Sequence, residues 1–166
     1  MKSPGGHREE PTIRTEKARS EFFVAPVLAE LKYSHPTTIS LFSGVELVGD
    51  ASLGLAGVCD FVISRSAEQL YVSAPVAVLV EAKSESLKDS LGQCLAEMLA
   101  ARLFNEREGN VIDVIHGAVT TGVLWQFVRL HGKVITLDLI EYPISQPERV
   151  LGLLTRMVLP EQESTR

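Results

Sequence analysis

Apolar and polar residues change period several times along the chain, and each change marks an element. Across residues 15–33, Phe23, Val24, Val27, Leu28 and Leu31 fall on one stripe at about 3.6-residue spacing, which predicts a helix. Pro26 sits inside that stripe, so the helix kinks there or begins anew near Ala25. Ser34-His35-Pro36 ends it. Residues 38–43 read as a strand that continues, bulged at Gly44, through residues 45–48. Gly49-Asp50 opens a loop to Gly54. A second strand over residues 56–64 carries Asp60 among apolar neighbours. Arg65 to Gln69 reads as a turn, and Leu70-Tyr71-Val72 as a short extension. Pro75 then introduces Val76-Ala77-Val78-Leu79-Val80, five apolar residues followed at once by Glu81-Ala82-Lys83. A run this short and this apolar predicts a strand buried on both faces.

Residues 86–106 give the clearest helix. Leu87, Leu91, Leu95, Met98 and Leu99 line one face, while Gln93, Ala96, Glu97, Ala100 and Phe104 occupy the far side, so cover on two sides is expected. Gln93 and Glu97 are four apart and therefore neighbours. Gly109-Asn110 closes the helix. Residues 116–130 read as a strand pair, or one long strand broken at Gly122. His131-Gly132 is a hairpin turn, and residues 134–142 alternate as a returning strand. Residues 147–158 form a last amphipathic helix with Val150, Leu151, Leu154 and Val158 apolar. The predicted order is helix, three strands, helix, two strands, helix. That is an α/β class with an α+β mixed sheet, in one domain over residues 12–159 between flexible tails at 1–11 and 160–166.

Composition agrees with a soluble globular chain: of 166 residues, 45% are hydrophobic and 22% charged. Nothing approaches the roughly 18 consecutive apolar residues of a membrane span, and residues 1–11 lack the apolar core of a secretory signal. A cytoplasmic setting without membrane contact is therefore expected, with Cys59 and Cys94 as buried reduced thiols rather than a disulfide. No CxxC and no His/Cys cluster suggests structural zinc. The net charge of −5 opposes nucleic-acid binding through a broad basic face. A locally basic face, or a partner subunit supplying DNA affinity, would reconcile the two.

Candidate chemistry centres on the end of the Val76 strand. Side chains alternate along a strand, so Glu81 and Lys83 emerge on one face. Opposite charges leaving a core are costly unless paired or used. Glu-x-Lys alone says little, because about one occurs by chance in a chain of this length, and Glu30-Leu31-Lys32 is a second. Context separates the two: a buried strand precedes Glu81, and a strand bearing Asp60 lies upstream. Magnesium takes hard oxygen ligands and retains waters, so Asp60, Glu81 and the backbone carbonyl of Ala82 make a candidate Mg2+ (or Mn2+) site. Lys83 is then the candidate catalytic residue, placed to orient the attacking water and stabilise charge on phosphate. The plainer alternative is a structural ion pair between Asp60 and Lys83, with Glu81 at a solvated strand end.

This arrangement resembles the PD-(D/E)XK nuclease superfamily, whose core runs helix, three strands, helix, strand, with metal carboxylates corresponding to Asp60 and Glu81. Cys59 stands where a proline often precedes the first acid. Gly92-Gln93-Cys94-Leu95-Ala96-Glu97 resembles the glutamine-bearing helix of RecB-like nucleases and of the N-terminal nuclease domain of type I restriction R subunits. Thr120-Thr121-Gly122-Val123-Leu124-Trp125-Gln126-Phe127 resembles the Thr-Asn-Gly-x-x-Trp strand of those R-subunit domains, with Thr121 in place of Asn. The similarity spans residues 15–142. It implies a restriction-endonuclease-like core, a Mg-dependent nuclease acting on DNA, and a first-helix glutamate completing the site. Glu21 is the first choice, with Glu30 and Glu16 as competitors. It also implies a role for Gln93, while Glu97 reads as structural and Trp125 as core. A homodimer is a natural form for a short nuclease that cuts both strands. The reading from a different class is a catalytically weak or inactive module of this fold, serving as a DNA-processing or assembly subunit.

Overall fold

Thr15 starts the first helical rod by accepting a hydrogen bond from the Ala18 N–H at 3.1 Å. The computed structural model describes residues 15–83 and 86–159, so the expected tails and Ser84-Glu85 lie outside the described residues. Helix α1 (Glu16–Arg19) passes through a π-helical turn (Ser20–Val24) into α2 (Ala25–Ser34). Proline lacks an N–H and its ring crowds the preceding turn of an α-helix. The wider π turn resolves that conflict, leaving Pro26 in the first turn of a new α segment at Ala25. Val24, Leu28 and Leu31 are buried, as their spacing predicts.

Strand β1 (Ser40–Asp50) turns through a 3-10 segment (Ala51–Leu53) into β2 (Leu55–Ser64), with the Asp50 side chain accepting from the Ser52 N–H at 2.9 Å. Strand β3 (Val76–Ala82) is buried along its whole length. Helix α3 (Leu87–Arg107), capped by Ser86, crosses to β4 (Val114–Thr120), which runs parallel to β3. Then come β5 (Leu124–His131), β6 (Val134–Leu137), β7 (Tyr142–Pro143) and α4 (Pro147–Val158). Among the described residues the result is mixed α/β: three helical rods and an open seven-stranded sheet ordered β1-β2-β3-β4-β5-β6, with β7 also on β5. Helices α2 and α4 cover one face over Phe61, Ile63, Val78 and Val80. Helix α3 covers the other over Val62, Leu79 and Val119.

Four strands, not two, follow α3. Gly122, at φ 89°, breaks residues 116–130 into β4 and β5. The Thr120 hydroxyl accepts from the Gly122 N–H and donates to the Leu124 carbonyl, closing that turn. The returning strand also divides, because Asp138 turns the chain: its carboxylate accepts from the Ile140 N–H and the Tyr142 hydroxyl. Residues 70–72 form no strand, and Leu70 and Tyr71 are exposed. Gly44 has φ 62° but causes no register shift; the irregularity in β1 falls between Val48 and Asp50.

The buried face of α3 also differs from the leucine stripe. Ser90, Cys94, Glu97, Met98, Ala101 and Asn105 are buried, whereas Leu91, Leu95 and Leu99 pack along the flanks. The helix lies too close to the sheet for branched chains at its centre. A Cβ on Gly117 would stand 2.7 Å from Cys94 Sγ, and one on Gly49 would stand 2.5 Å from Ala100 Cα. Both cysteines are free and buried. Asn105 fixes the helix lengthwise, bonding the N–H and carbonyl of Val76 at 2.7 and 2.9 Å.

On β4, burial first, then the charges of Arg65 and Arg129, push the His116 imidazole down to about 4. The folded protein thus keeps His116 neutral while the unfolded chain takes up a proton below the ordinary value of 6.5. Its contribution to stability is complete above that value and is lost as pH falls toward 4. His116→Gln is expected to flatten the decline in Tm across that window, by about 1 kcal/mol or more of stability. Identical slopes for both proteins in thermal melts at stepped pH would refute it.

Candidate functional site

The β2–β3 ladder gives way beside the candidate residues. Its last regular pair is Phe61 with Val80. One step further, where regular pairing would set Asp60 opposite Glu81, the ladder stops. There Asp60 Oδ2 accepts the Ala82 N–H at 2.8 Å, so a side chain fills a ladder position. On the other side of β3 the pairing with β4 continues, and the Lys83 N–H donates to the Thr120 carbonyl at 2.9 Å.

Glu81 is fully buried, and Lys83 Nζ approaches its Oε1 to 2.7 Å. The contact is a charge pairing rather than a well-directed hydrogen bond, and Oε2 has no donor. Lys83 Nζ also lies 3.4 Å from Glu16 Oε1, and its bridges among the described residues are to Glu81 and Glu16, not Asp60. The structural pair expected between Asp60 and Lys83 is therefore absent there, and Glu81 is not solvated. Asp60 and Ala82 open into a cleft of about 300 Å³ bordered by Glu16, Lys17, Ser20 and Glu21.

Helix α3 brings a further acid. Glu97 is 8% exposed, its Oε1 accepts from Gln93 Nε2 at 3.1 Å, and its Oε2 has no donor. Burial, then the charge of Glu81, push the Glu97 carboxyl up to about 8. Glu81 is likewise raised, by burial first and by Asp60, against the opposing pull of Lys83. For Lys83, burial works to lower the pKa, but the close pairing with Glu81 and the attraction of Asp60 and Glu16 outweigh it and the net shift is upward. Glu81, Asp60 and Glu16 thus surround one ammonium group, while Glu97 stands against Glu81.

The structure gathers Asp60, Glu81, Ala82 and Lys83 at one strand end. Glu21 borders the same cleft, but it faces solvent and pairs with Lys17 at 3.8 Å. Glu16 is the first-helix acid that reaches Lys83, while Glu30 is exposed on α2. Gln93 touches the group through Glu97. Glu97, expected to be structural, is buried against Glu81. Its signal in the sequence was a charge four residues from Gln93, in a row of small residues. Trp125 is fully buried and stacks on Phe127, as a core residue should.

The donor set suits a hard divalent cation in part. Two carboxylates come together, one with a buried oxygen lacking any donor, and a cation there would relieve the repulsion that raises Glu81. Asp60 keeps one oxygen beyond its bond to Ala82. Among the described residues no three His, Cys, Asp or Glu side chains converge as a metal-holding group. Waters and a backbone carbonyl would have to complete the shell. Comparison of the chain with protein-family models, with curated proteins and with solved structures finds no match. Among the described residues no helix is long and apolar enough to cross a membrane.

Proposed function

We propose that this protein is a Mg-dependent nuclease hydrolysing DNA phosphodiester bonds, with a restriction-endonuclease-like core. The observation that carries this reading is Glu81: a fully buried carboxylate, paired with Lys83 and close to Asp60, whose side chain bonds the Ala82 N–H at the end of the same strand. Such a group contributes little to stability compared with an apolar side chain of its size, so its place is explained by use. Asp60 and Glu81 would hold Mg2+ or Mn2+, with the Ala82 carbonyl as a third oxygen. The ion supplies Lewis-acid stabilisation of the phosphoryl oxygens and lowers the pKa of bound water. Lys83 carries a positive charge beside the acids, held protonated by Glu81, and stabilises negative charge as it builds on the phosphate. Glu16 shares that ammonium and fixes its position. Gln93 orients Glu97.

The second reading, an inactive module of the same fold, draws on the two-carboxylate donor set and on the net charge of −5. A partner subunit, or a second copy of the chain, would then provide the DNA affinity. One experiment separates the two. Mg2+ or Mn2+ titrated onto the purified protein is expected to raise Tm by several degrees, an effect lost in Asp60→Asn, and to support nicking of supercoiled DNA. A metal-dependent shift without nicking favours the module. No shift at any metal concentration removes the metal site.

A further inference from the structure

An open sheet ends in two edge strands, each with a row of backbone N–H and carbonyl groups that another strand can pair. Here those strands are β1 and β6. Side chains bond the backbone along β1. Gln69 Oε1 accepts the Leu41 N–H at 3.2 Å, and Gln69 Nε2 donates to the Leu41 carbonyl at 2.6 Å. Toward the other end of the strand, Arg107 donates to the carbonyls of Val48 and Gly49 at 3.0 and 3.1 Å. Exposed Glu46 adds a charge between them. Among the described residues no side chain covers β6 in this way.

Strand β6 reads Val134-Ile135-Thr136-Leu137, without charge, proline or bulge, and Val134, Ile135 and Thr136 are exposed. Natural edges usually carry one of those devices, because a bare edge recruits a further strand. The direction of its backbone groups follows from the ladder. The Asp138 N–H donates inward to the Phe127 carbonyl at 2.9 Å. Direction alternates along an antiparallel strand, so Val134 and Thr136 also face β5. Ile135 and Leu137 turn their N–H and carbonyl groups outward.

The complement of this edge is a strand with outward residues at the same spacing, and β6 is itself such a strand. When two copies run antiparallel about a two-fold axis at Thr136, Ile135 of each exchanges N–H···O bonds with Leu137 of the other. The charges favour that direction. Lys133 precedes the strand and Asp138 follows it, so antiparallel pairing brings the lysine end of each copy to the aspartate end of the other. The faces agree as well. Ile135 and Leu137 pair with Leu130 and Val128 of β5, which belong to the apolar cluster on the α3 side. Side chains of both copies therefore meet on that one face. We propose that a second copy of this chain pairs antiparallel with β6, continuing the sheet from one subunit into the next. The pairing is independent of the chemistry of the acids.

Sedimentation velocity of the full chain across a concentration series tests this, with two variants at the axis. Thr136 is exposed, so Thr136→Lys and Thr136→Asp leave the core intact, and melting curves check that each is folded. In either variant alone, like charges stand opposite one another across the axis. In an equimolar mixture of the two, lysine meets aspartate. The expected result is a wild-type mass that rises with concentration to that of two chains. Association is weakened about tenfold or more in each variant alone and recovers in the mixture. A wild-type chain that stays monomeric throughout overturns the pairing. So does a dimer that both variants keep at wild-type strength, or a mixture that associates no better than its components.

Discussion

Lys83→Ala is expected to lower metal-dependent DNA cleavage by about 10²–10³-fold while leaving metal binding in place. The ammonium is within 2.7 Å of Glu81, one of the two proposed metal ligands, and 3.4 Å from Glu16, which borders the cleft of Asp60 and Ala82. Alanine removes the charge that the developing phosphate dianion needs, yet leaves both carboxylates. The fold also registers the change. Glu81 is fully buried, and loss of its partner leaves an uncompensated charge or forces it to keep a proton, at about 2–3 kcal/mol. Single-turnover nicking, measured well below each protein's melting temperature, separates the two effects. Wild-type rates in Lys83→Ala would remove the lysine from the mechanism, whatever the change in Tm.

Gly49→Ala is the substitution expected to disturb the scaffold most for its size. The added Cβ would stand 2.5 Å from Ala100 Cα and 2.8 Å from the Ala100 carbonyl oxygen. Both are backbone atoms, so no rotamer change relieves the overlap and α3 itself must move from the sheet. Overpacking of this kind costs about 2–3 kcal/mol, or roughly 4–12 °C in Tm for a chain of this size. Arg107 bonds the carbonyls of Val48 and Gly49, so displacement strains a second tie. Gly57→Ala, whose Cβ meets nothing within 4 Å, provides the control and is expected to melt near wild type. Equal melting temperatures for the two variants would show that α3 yields without cost.

The sequence carried the order of elements well where periodicity was strong and turns had chemical markers. The Val76–Ala82 strand announced itself as an apolar run bounded by proline and charge, and the structure buries all of it. Pro26 signalled a restart at Ala25, although a π turn has no distinct signature and was invisible. The sheet's far end was harder to read. The split after Leu137 depends on hydrogen bonds from Ile140 and Tyr142 to a single carboxylate, and alternation alone does not reveal them.

Helix α3 shows a different limit. Its leucines marked an apolar face, but which face meets the sheet is set by clearance, and clearance belongs to Gly49 and Gly117 on other elements. The same geometry draws Glu97 inward beside Glu81, where sequence assigned it to the scaffold. Asp60 and Glu81 were legible as a pair because alternation and strand order are short-range rules. Glu16 was not preferred over Glu21, because the rotation of the first rod depends on the π turn, which begins at Ser20 between the two acids and has no signature in the sequence.

The direction in which the chain runs through the sheet has a practical outcome for handling the protein. The cleft opens at the Ala82 end of β3, beside Glu16 at the beginning of the described chain. Arg65 sits at the other end of that strand, bonded to the carbonyls of Met157 and Val158 near the finish of α4, while its N–H reaches the Pro75 carbonyl. The two ends of the described polypeptide therefore leave from opposite rims of the sheet. A probe placed on the described end of α4 is carried on the rim away from the acids, and one placed at Glu16 on the rim that holds the cleft.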